Sequence, residues 1–398
     1  AVLGLDFNQD CLGEDVKSTI EAVKQFNQNL DSTTLDLGNS GTGIRLLSGY
    51  IAGSGKDCTL IGDKSLSQRP MNRIAEPLNS WGAEVSLKEQ KFPPIMIKGT
   101  KLLPEFTYNL TIPSAQIKSC LLLAALSSKT KITIVENIPS RDHTERMLEE
   151  CGADIKRDGN QIILDGSIEI KKKFIDVPKD FSSAAYLIAA NILSKKNILL
   201  EGVGVNSTRT AFLDVVKEMG GNVVLKNLKN VTNEPRADIE SNAKQELKGI
   251  NIQGEKIPNL IDEIPLIAIM GLFAKGQTTV RDAKELRFKE SDRISLLLSN
   301  IKKFDPKATV TEYEDGFDIN PSNNLDTNSV NIETGGDHRI IMSFMIASLG
   351  SGKKVIFEEK AKTFILENKK NNDIFKKNKF AKSLSSFLSF NNNIAVVP

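Results

Sequence analysis

The chain has 398 residues and a formal net charge of +2, so it is longer than one hydrophobic core usually allows, and its charge predicts no particular partner. Aromatic residues make up 6% of the chain and are not interleaved with Lys or Arg, which argues against binding of single-stranded nucleic acid. The 4 Cys have no CxxC spacing and stand beside only 2 His, which argues against a zinc site and fits a reducing compartment.

The first predicted elements are a helix, a short strand and a glycine-rich turn. The chain begins at Ala1 in what reads as the middle of a domain, so we expect a fragment or a processed form. Apolar residues at helical spacing over 16–26 predict the helix, and Thr34–Leu37 predicts the strand. Residues 38–45, GNSGTGIR, allow backbone N–H groups to approach an anion, and Arg45 could close on a phosphate or carboxylate. A plain glycine-rich loop is the alternative.

Three polar segments then open helices in the first half of the chain. Residues 62–71, GDKSLSQRPM, place Arg69 just before a helix, and residues 113–118, PSAQIK, make Ser114 a credible N-cap. Residues 140–145, SRDHTE, open the third helix, where His143 reads as a capping or surface residue rather than a base.

One order of elements recurs and predicts the architecture. A polar helix start, an apolar helix of small residues, a Gly, Ser or Lys turn and a β-branched strand occur in GTGIRLLSGYIAGSGKDCTLIG, SAQIKSCLLLAALSSKTKITIVE, FSSAAYLIAANILSKKNILLEGV, DEIPLIAIMGLFAKGQTTVRDA and DHRIIMSFMIASLGSGKKVIFEE. The copies start roughly 65–80 residues apart, too far for a solenoid of single short repeats. Each unit is therefore expected to carry a second helix and more strands. Any α/β protein yields some such units, but five copies favour a true repeat.

The second half begins after Val177, where the pattern restarts and we place a domain boundary. Residues 178–183 are expected to cap a helix, and residues 226–248, rich in Asn and Lys, are expected to form a variable surface excursion. Residues 335–339, GGDHR, place Arg339 in the first turn of an apolar helix. Beyond Phe364 the chain becomes rich in Lys and Asn, and most of this tail is expected to be poorly ordered.

The stretch from Asn259 to Arg293 carries the densest pattern of charges. Asp262 and Glu263 begin a helix with Pro in its first turn, the apolar run Ile264–Ala274 continues it, and Thr278–Val280 predicts a strand. Residues 285–293, ELRFKESDR, add further carboxylates and cations. Carboxylates at both ends of the stretch with cations between them predict acid–base chemistry on an anion.

Eight of these motifs, in this order, resemble the 5-enolpyruvylshikimate-3-phosphate synthase family of the type often called class II. They are LGNSGTGIRLLSG, GDKSLSQRPM, PSAQIKSCLLLAAL, SRDHTERMLEECGA, DFSSAAYLIAAN, DEIPLIAI, ELRFKESDRI and GGDHRIIMSF, and the resemblance spans Leu12 to Phe364. It implies the α/β enolpyruvyl transferase fold: two globular domains of repeated βαβαββ units, an inside-out α/β barrel, here with its first repeat incomplete. The domains would be 1–177 (shikimate 3-phosphate), 178–364 (catalytic carboxylates and phosphoenolpyruvate arginines) and a divergent tail, 365–398.

The resemblance also implies a reaction and its partners. The family transfers the enolpyruvyl group of phosphoenolpyruvate to the 5-hydroxyl of shikimate 3-phosphate and releases phosphate, in chorismate and aromatic amino acid biosynthesis. It implies no metal or organic cofactor, no nucleic acid or membrane partner, and a monomer, and the family is a target of glyphosate. No apolar run is long enough to span a bilayer and no signal-peptide pattern is seen, so a cytoplasmic protein is expected.

The family's functional positions carry over by motif. Those implied for phosphoenolpyruvate are Gly41, Arg69, Gln116, Arg293, Arg339 and Lys362, and those implied for shikimate 3-phosphate are Ser114, Ala115, Gln116, Ser140, Arg141, Asp262 and Lys289. Two proton-transfer groups are needed, and we assign Asp262 as the base and Glu290 as the acid, with Lys289 assisting or sharing that role. An acid must hold a proton, whereas the neighbouring cations favour the ionised carboxylate; desolvation or bound phosphoenolpyruvate could offset them. Otherwise Asp262 is only a helix-start residue and Glu290 part of a surface ion-pair network.

The sequence departs from the family at both ends. The family's Lys-Ser pair with a following Arg is absent ahead of the matched motifs, and the Lys362 motif lacks its usual Pro, since Ile365 follows Phe364. Loss of two cations from a polyanion site could leave this chain inactive. The rivals are UDP-N-acetylglucosamine enolpyruvyl transferase, whose reactive Cys would correspond to Lys64, and a non-catalytic, anion-binding relic of the fold.

Overall fold

The computed structural model describes residues 13–28, 33–171, 174–242, 246–326, 328–359, 362–366 and 394–395, with side chains described no further than residue 357. The α-helices within these residues are α1 (Glu14–Asn27), α2 (Gly41–Ala52), α3 (Asn72–Trp81), α4 (Ala115–Ser128), α5 (His143–Glu150), α6 (Phe181–Ser194), α7 (Ala211–Glu218), α8 (Ile264–Gly271), α9 (Arg293–Phe304) and α10 (His338–Ser351).

The β-strands within the same residues are β1 (Thr33–Asp36), β2 (Cys58–Ile61), β3 (Glu84–Lys88), β4 (Phe92–Lys98), β5 (Phe106–Leu110), β6 (Lys131–Glu136), β7 (Asp154–Asp158), β8 (Gln161–Asp165), β9 (Asn197–Gly204), β10 (Asn222–Val231), β11 (Glu234–Asn242), β12 (Leu247–Lys248), β13 (Asn251–Ile252), β14 (Ala274–Lys275), β15 (Thr278–Val280), β16 (Thr309–Tyr313), β17 (Gly316–Asn320), β18 (Val330–Ile332), β19 (Val355–Glu359), β20 (Lys362–Leu366) and β21 (Ile394–Ala395). Short 3-10 helices span Leu66–Gln68, Gly254–Asn259 and Lys284–Phe288.

The chain divides into two units, unit 1 (Ala1–Val177) and unit 2 (Pro178–Pro398). Unit 1 holds two four-stranded sheets with one topology, β1-β2-β4-β3 and β5-β6-β8-β7. In each sheet the first two strands are parallel and the last two join as antiparallel neighbours. A buried helix, α2 or α4, connects the parallel strands, and a second helix, α3 or α5, precedes the antiparallel pair. This βαβαββ order is the predicted repeat.

Unit 2 repeats the arrangement with variations. The sheet β13-β15-β17-β16 follows the same order, and β18-β19-β20 forms a three-stranded counterpart. In the sheet β10-β11-β9-β21, the position beside β9 is filled by β21, which pairs antiparallel with β9. Apart from Ile394–Ala395, the predicted tail beyond Leu366 lies outside the described residues, so its expected disorder stays a prediction.

Each unit has its own core around helices that are apolar on most sides. In unit 1, α2 and α4 lie so close that a Cβ added at Gly49 would be 1.9 Å from the Cys120 carbonyl oxygen. Small residues at this contact let two helix backbones approach, and no larger side chain fits. In unit 2, α6, α8 and α10 pack against one another and bury most of their side chains. The helices of small residues that the sequence predicts are therefore the central helices of each unit.

Two local predictions were wrong. The excursion expected at 226–248 is largely a hairpin of β10 and β11 in unit 2. Most side chains of β10 are exposed, so the strand lacks the apolar alternation that would have indicated it, and the turn uses positive φ angles of 48° at Thr232 and 60° at Asn233. The helix expected to reach Ala274 ends at Gly271, and Ala274–Lys275 forms the short strand β14. No helix in the described part of the chain is both long and apolar enough to cross a membrane.

Candidate active site

In unit 2, three guanidinium groups surround the carboxylate of Asp262, which lies two residues before α8. Arg209 Nη1 is 3.3 Å from Asp262 Oδ2, whereas Arg293 Nη1 and Arg339 Nε are 3.7 and 3.8 Å from Oδ1. Arg339 Nη1 also donates to the backbone oxygen of Asp262 at 3.0 Å. We call these four residues the Asp262 cluster.

Helix starts bring these arginines together. Arg209 lies just before α7, Arg293 is the first residue of α9, and Arg339 is the second residue of α10. A cation at a helix N-terminus is opposed by the helix dipole, so it requires carboxylates nearby. Asp292 and Asp337 supply them while capping the helices, since they accept backbone N–H groups of Ser295 and Arg339. The recurring polar helix start is thus what builds the cluster.

Arg293 links the two carboxylates predicted for proton transfer. Its side chain is 1% exposed, its Nη2 donates to Glu290, and its Nη1 faces Asp262. Nε donates to Asp337 Oδ2 at 2.8 Å, while Nη1 has no hydrogen-bond partner among the described residues. Asp262 and Glu290 therefore lie at the two ends of one guanidinium. Lys289 directly follows the 3-10 helix Lys284–Phe288 and precedes Glu290.

Burial and charge act in opposite directions on the ionisable groups of this region. Burial raises the pKa of the Glu263 carboxyl above its ordinary value, although Arg209 and Arg339 oppose that rise. Burial also disfavours ionisation of Asp337, but the charge and hydrogen bonds of Arg293 outweigh it, and the pKa of Asp337 lies below its usual value. Neighbouring carboxylates such as Asp262 hold the pKa of Arg339 above its ordinary value despite burial. Arg339 therefore stays charged at any working pH.

In unit 1, the start of α2 places cations around Gly41. Ser40 caps the helix by accepting the N–H of Gly43 at 3.1 Å. A Cβ added at Gly41 would be 2.8 Å from Arg69 Nη1 and 3.1 Å from Arg45 Nη1. Arg69 donates to Asn39 Oδ1 at 2.7 Å, whereas Arg45 turns back and donates to the Gly41 carbonyl at 2.8 Å. Arg69 thus lies beside a glycine-rich helix start that suits an anion. Arg45 stabilises the backbone of that start through its hydrogen bond to Gly41.

The start of α4 lies next to that of α2. Ser114 caps α4 by accepting the N–H of Ile117 at 3.5 Å, and Ala115 is the first helical residue. Gln116 Nε2 donates to Thr42 Oγ1 of α2 at 3.2 Å. Within unit 1, the structure therefore places Gln116 beside the helix start that holds Gly41.

Ser140 and Arg141 follow β6 in a loop that a buried ionic network holds. Glu136 Oε1 accepts the backbone N–H of Ser140 at 2.9 Å and also its hydroxyl. Lys118 Nζ is 3.2 Å from both Glu136 oxygens and 2.7 Å from Glu145 Oε1. Arg157 Nη2 donates to Glu136 Oε2 at 2.7 Å. We call Lys118, Glu136, Ser140, Glu145 and Arg157 the Glu136 cluster.

Arg209 and, except for Ser140, the residues of the Glu136 cluster were not predicted from the sequence. Arg209 could have been found because it, too, is a cation just before a helix, in the segment NSTRT. Lys118 could have been found as a charge inside an apolar helix, but nothing in the sequence pairs it with Glu136. The side chain of Lys362, whose backbone begins β20, lies outside the described residues. No group of three or more His, Cys, Asp or Glu that could hold a metal occurs in the part of the chain that the structure describes.

Repeated βαβαββ units with arginines at helix starts define an α/β repeat protein built to bind anions. Comparison with known proteins gives the family: the family model described as EPSP synthase (3-phosphoshikimate 1-carboxyvinyltransferase) matches residues 5–364. The chain belongs to this family, and its fold is the enolpyruvyl transferase fold, as predicted.

Individual relatives agree with the family match. The chain is 41% identical over 357 residues to a 3-phosphoshikimate 1-carboxyvinyltransferase of Thermoanaerobacter sp. (strain X514), a match covering 85% of this chain and 83% of that protein. It is 44% identical over 331 residues to the Synechocystis sp. protein of the same name, covering 82% and 72%. A solved EPSP synthase structure from Acinetobacter baumannii is similar with a TM-score of 0.71 at 37% identity, covering 85% of this chain and 82% of that one.

Proposed function

We propose that this chain transfers the enolpyruvyl group of phosphoenolpyruvate to the 5-hydroxyl of shikimate 3-phosphate and releases phosphate, a step of chorismate and aromatic amino acid biosynthesis. Relatives of this name, at about 40% identity over most of the chain, support the reaction. The observation in the structure that carries the proposal is that Asp262 and Glu290 contact opposite ends of the Arg293 guanidinium, with Arg339 beside them.

The arginines of unit 2 suit an anionic donor. Guanidinium groups bind carboxylates and phosphates through paired hydrogen bonds, and these pairs strengthen when water is excluded. We assign Arg293 and Arg339 to phosphoenolpyruvate, together with Lys362, and we assign Asp262 and Lys289 to shikimate 3-phosphate. Arg293 Nη1 lacks a hydrogen-bond partner among the described residues, so a donor nitrogen at this site has capacity for an anion.

In unit 1, two helix starts and a loop carry groups that suit anions. We assign Gly41, Arg69 and Gln116 to phosphoenolpyruvate, because Gly41 is crowded by a cation at a helix N-terminus. The residues assigned to shikimate 3-phosphate in this unit are Ser114, Ala115, Gln116, Ser140 and Arg141.

The addition step and the elimination step of the reaction each need two proton transfers. In the addition step, Asp262 removes the proton of the 5-hydroxyl, and the hydroxyl oxygen bonds to C2 of phosphoenolpyruvate. Glu290, assisted by Lys289, protonates the methylene carbon. In the elimination step, that carbon returns a proton to Glu290 and the C2–phosphate oxygen bond breaks. The leaving phosphate takes the proton that Asp262 held, which restores the base. An anion bound to Arg293 competes with Glu290 for the same guanidinium. Substrate binding would therefore release Glu290 from Arg293. The neighbouring cations would then no longer hold Glu290 in its ionised form, and it could carry a proton.

A phosphate-release assay with both substrates tests the proposal. We expect release only when phosphoenolpyruvate and shikimate 3-phosphate are both present, on this chain and on the same chain fused behind the N-terminal residues of the Thermoanaerobacter relative. Release with UDP-N-acetylglucosamine in place of shikimate 3-phosphate would assign the chain to the other acceptor. Binding of phosphoenolpyruvate without release, in both chains, would identify a non-catalytic binding protein.

Three further assignments belong to the proposal. We infer a cytoplasmic protein, a monomer, and inhibition by glyphosate through the phosphoenolpyruvate site. Sedimentation of the purified chain checks the monomer, and inhibition that is competitive with phosphoenolpyruvate checks the glyphosate site.

A further inference from the structure

The two oxygens of Asp262 face different cations. Oδ1 is the oxygen nearer to Arg293 and Arg339, the arginines assigned to phosphoenolpyruvate, at 3.7 and 3.8 Å. Oδ2 is the oxygen nearer to Arg209, at 3.3 Å. A substrate anion that engages Arg293 and Arg339 weakens their attraction to Oδ1, whereas Arg209 is not assigned to any substrate. Arg209 is thus a cation that can keep its contact with Asp262 when a substrate anion binds.

Arg209 is itself held in place by polar partners. Its Nη2 donates to Ser182 Oγ at the start of α6, and Ser182 Oγ donates in turn to buried Glu263. The same Nη2 is 3.7 Å from Asp180 Oδ1, the carboxylate that caps α6. The Arg209 side chain is 12% exposed, so water screens these contacts only partly. One guanidinium therefore ties the start of α6 to the turn that carries Asp262.

We propose that Arg209 is a positioning residue for the base: it holds Asp262 Oδ2 and so presents Oδ1 to the 5-hydroxyl of the acceptor. The inference rests on the proposed function for the identity of the base, but the Arg209–Asp262 contact does not. A bidentate fork suits this task, because one nitrogen can hold Asp262 while the other holds Ser182. A lysine at this position keeps the charge but cannot serve both partners.

The pH behaviour of Asp262 depends on all the charged groups around it. Arg209, Arg293 and Arg339 favour its ionised form, and neighbouring Glu263 opposes it. Groups that act through those arginines are Asp180, Tyr186, Glu290, Asp337 and His338. Removing Arg209 removes one cation from this set and leaves the others in place, so ionisation of Asp262 should require a higher pH.

The test compares Arg209→Gln, Arg209→Lys and a control, Arg281→Gln, with the unmodified chain. Arg281 is also partly buried and pairs with a carboxylate, Asp318, at 3.0 Å in the same unit. The first readout is the ¹³C titration of the Asp262 carboxyl, assigned by its loss in Asp262→Asn and independent of turnover. The second is kcat and KM for phosphoenolpyruvate against pH, by phosphate release. Circular dichroism reports whether each variant is folded.

We expect Arg209→Gln to move the Asp262 titration and the acidic limb of the kcat profile upward by about one pH unit. We also expect it to lower kcat about 10- to 100-fold with KM changed less than threefold, an effect typical of lost positioning. Arg209→Lys should restore the titration but not kcat, and Arg281→Gln should change neither. An unmoved titration in folded Arg209→Gln, or a rise in KM alone, would overturn the inference. If the titration moves but the unmodified chain releases no phosphate, the Arg209 contact stands and the proposed reaction fails.

Discussion

The Glu136 cluster of unit 1 and the Asp262 cluster of unit 2 use the same kinds of side chain in different ways. Glu136 is 1% exposed, and it accepts from Lys118, Arg157 and both the N–H and hydroxyl of Ser140 at hydrogen-bonding distances. The ion pairs of Asp262, which is 14% exposed, are longer, at 3.3 to 3.8 Å.

The difference follows from what each cluster must do. A buried charge costs free energy unless hydrogen bonds satisfy it, so a carboxylate that holds a loop in place should have both oxygens bonded, as Glu136 has. A cluster that binds a substrate anion must exchange partners, so its internal ion pairs should be loose. We therefore interpret the Glu136 cluster as the support of the Ser140 loop and the Asp262 cluster as the reacting site.

The strongest test of this difference between the two clusters is to neutralise Asp262. We expect Asp262→Asn to lower kcat for phosphate release by about 10² to 10⁴-fold, the range for loss of a general base. Asp318→Asn, which neutralises the partner of Arg281 in the same unit, should change kcat less than threefold. Thermal unfolding of both variants checks that they fold. If Asp262→Asn keeps more than a tenth of the activity, Asp262 is not the base.

The converse test removes Lys118, the buried cation of the Glu136 cluster. In Lys118→Met, Glu136 and Glu145 lose a partner that is 0% exposed, and we expect the free energy of unfolding to fall by about 3–5 kcal/mol. The control is Lys98→Met, since Lys98 pairs with Glu84 at 2.8 Å on the exposed surface, where water screens the pair and its loss should change stability far less. Urea denaturation measures both. Equal losses would mean that the Glu136 cluster is no more structural than a surface ion pair.

Substitutions at two glycines of α2 distinguish an effect on binding from an effect on packing within unit 1. A Cβ at Gly41 meets the guanidinium nitrogens of Arg69 and Arg45, which can shift, so Gly41→Ala should raise KM for phosphoenolpyruvate about tenfold and weaken inhibition by glyphosate. A Cβ at Gly49 meets the backbone of Cys120 at 1.9 Å, so Gly49→Ala should destabilise unit 1 by about 1–3 kcal/mol or more.

Enzyme kinetics and urea denaturation on both glycine variants show whether each glycine serves binding or packing. Unchanged glyphosate sensitivity in Gly41→Ala would reject the placement of that residue at the phosphoenolpyruvate site. A loss of stability in Gly41→Ala as large as that in Gly49→Ala would mean that both glycines serve packing alone.

The repeat and the helix starts were predictable because they are local. Polar caps such as Ser114 and Asp180, followed by small apolar residues, specify the central helices α4 and α6 without reference to the rest of the chain. Asp262 and Glu290 were predicted to act together because both lie in the charged stretch from Asn259 to Arg293. These assignments needed only short-range pattern and the resemblance.

The missed features depend on contacts between distant segments. Lys118 and Glu136 meet because α4 packs against β6, and Arg209 reaches Asp262 across 53 positions of sequence. The β10–β11 hairpin was missed for a different reason, since the exposed side chains of β10 follow no apolar alternation. Pattern identifies which residues carry charge, but only the fold determines which charges meet.

The smallest expected effect concerns Glu263, where burial raises the carboxyl pKa above its ordinary value of 4.5. The folded state then binds more protons than the unfolded state once the pH exceeds about 4.5, so this group lowers stability as pH rises through its folded pKa. Asp337 acts oppositely, because its lowered pKa stabilises the fold above about 3.8 and this contribution is lost in acid. Glu263→Gln keeps an acceptor for the Ser182 hydroxyl and removes the titration. We expect urea denaturation to show that Glu263→Gln gains stability relative to the unmodified chain between pH 4.5 and 7, while exposed Glu84→Gln does not. A difference independent of pH would mean that Glu263 stays in the same protonation state on folding, and that the arginines of the Asp262 cluster fully offset its burial.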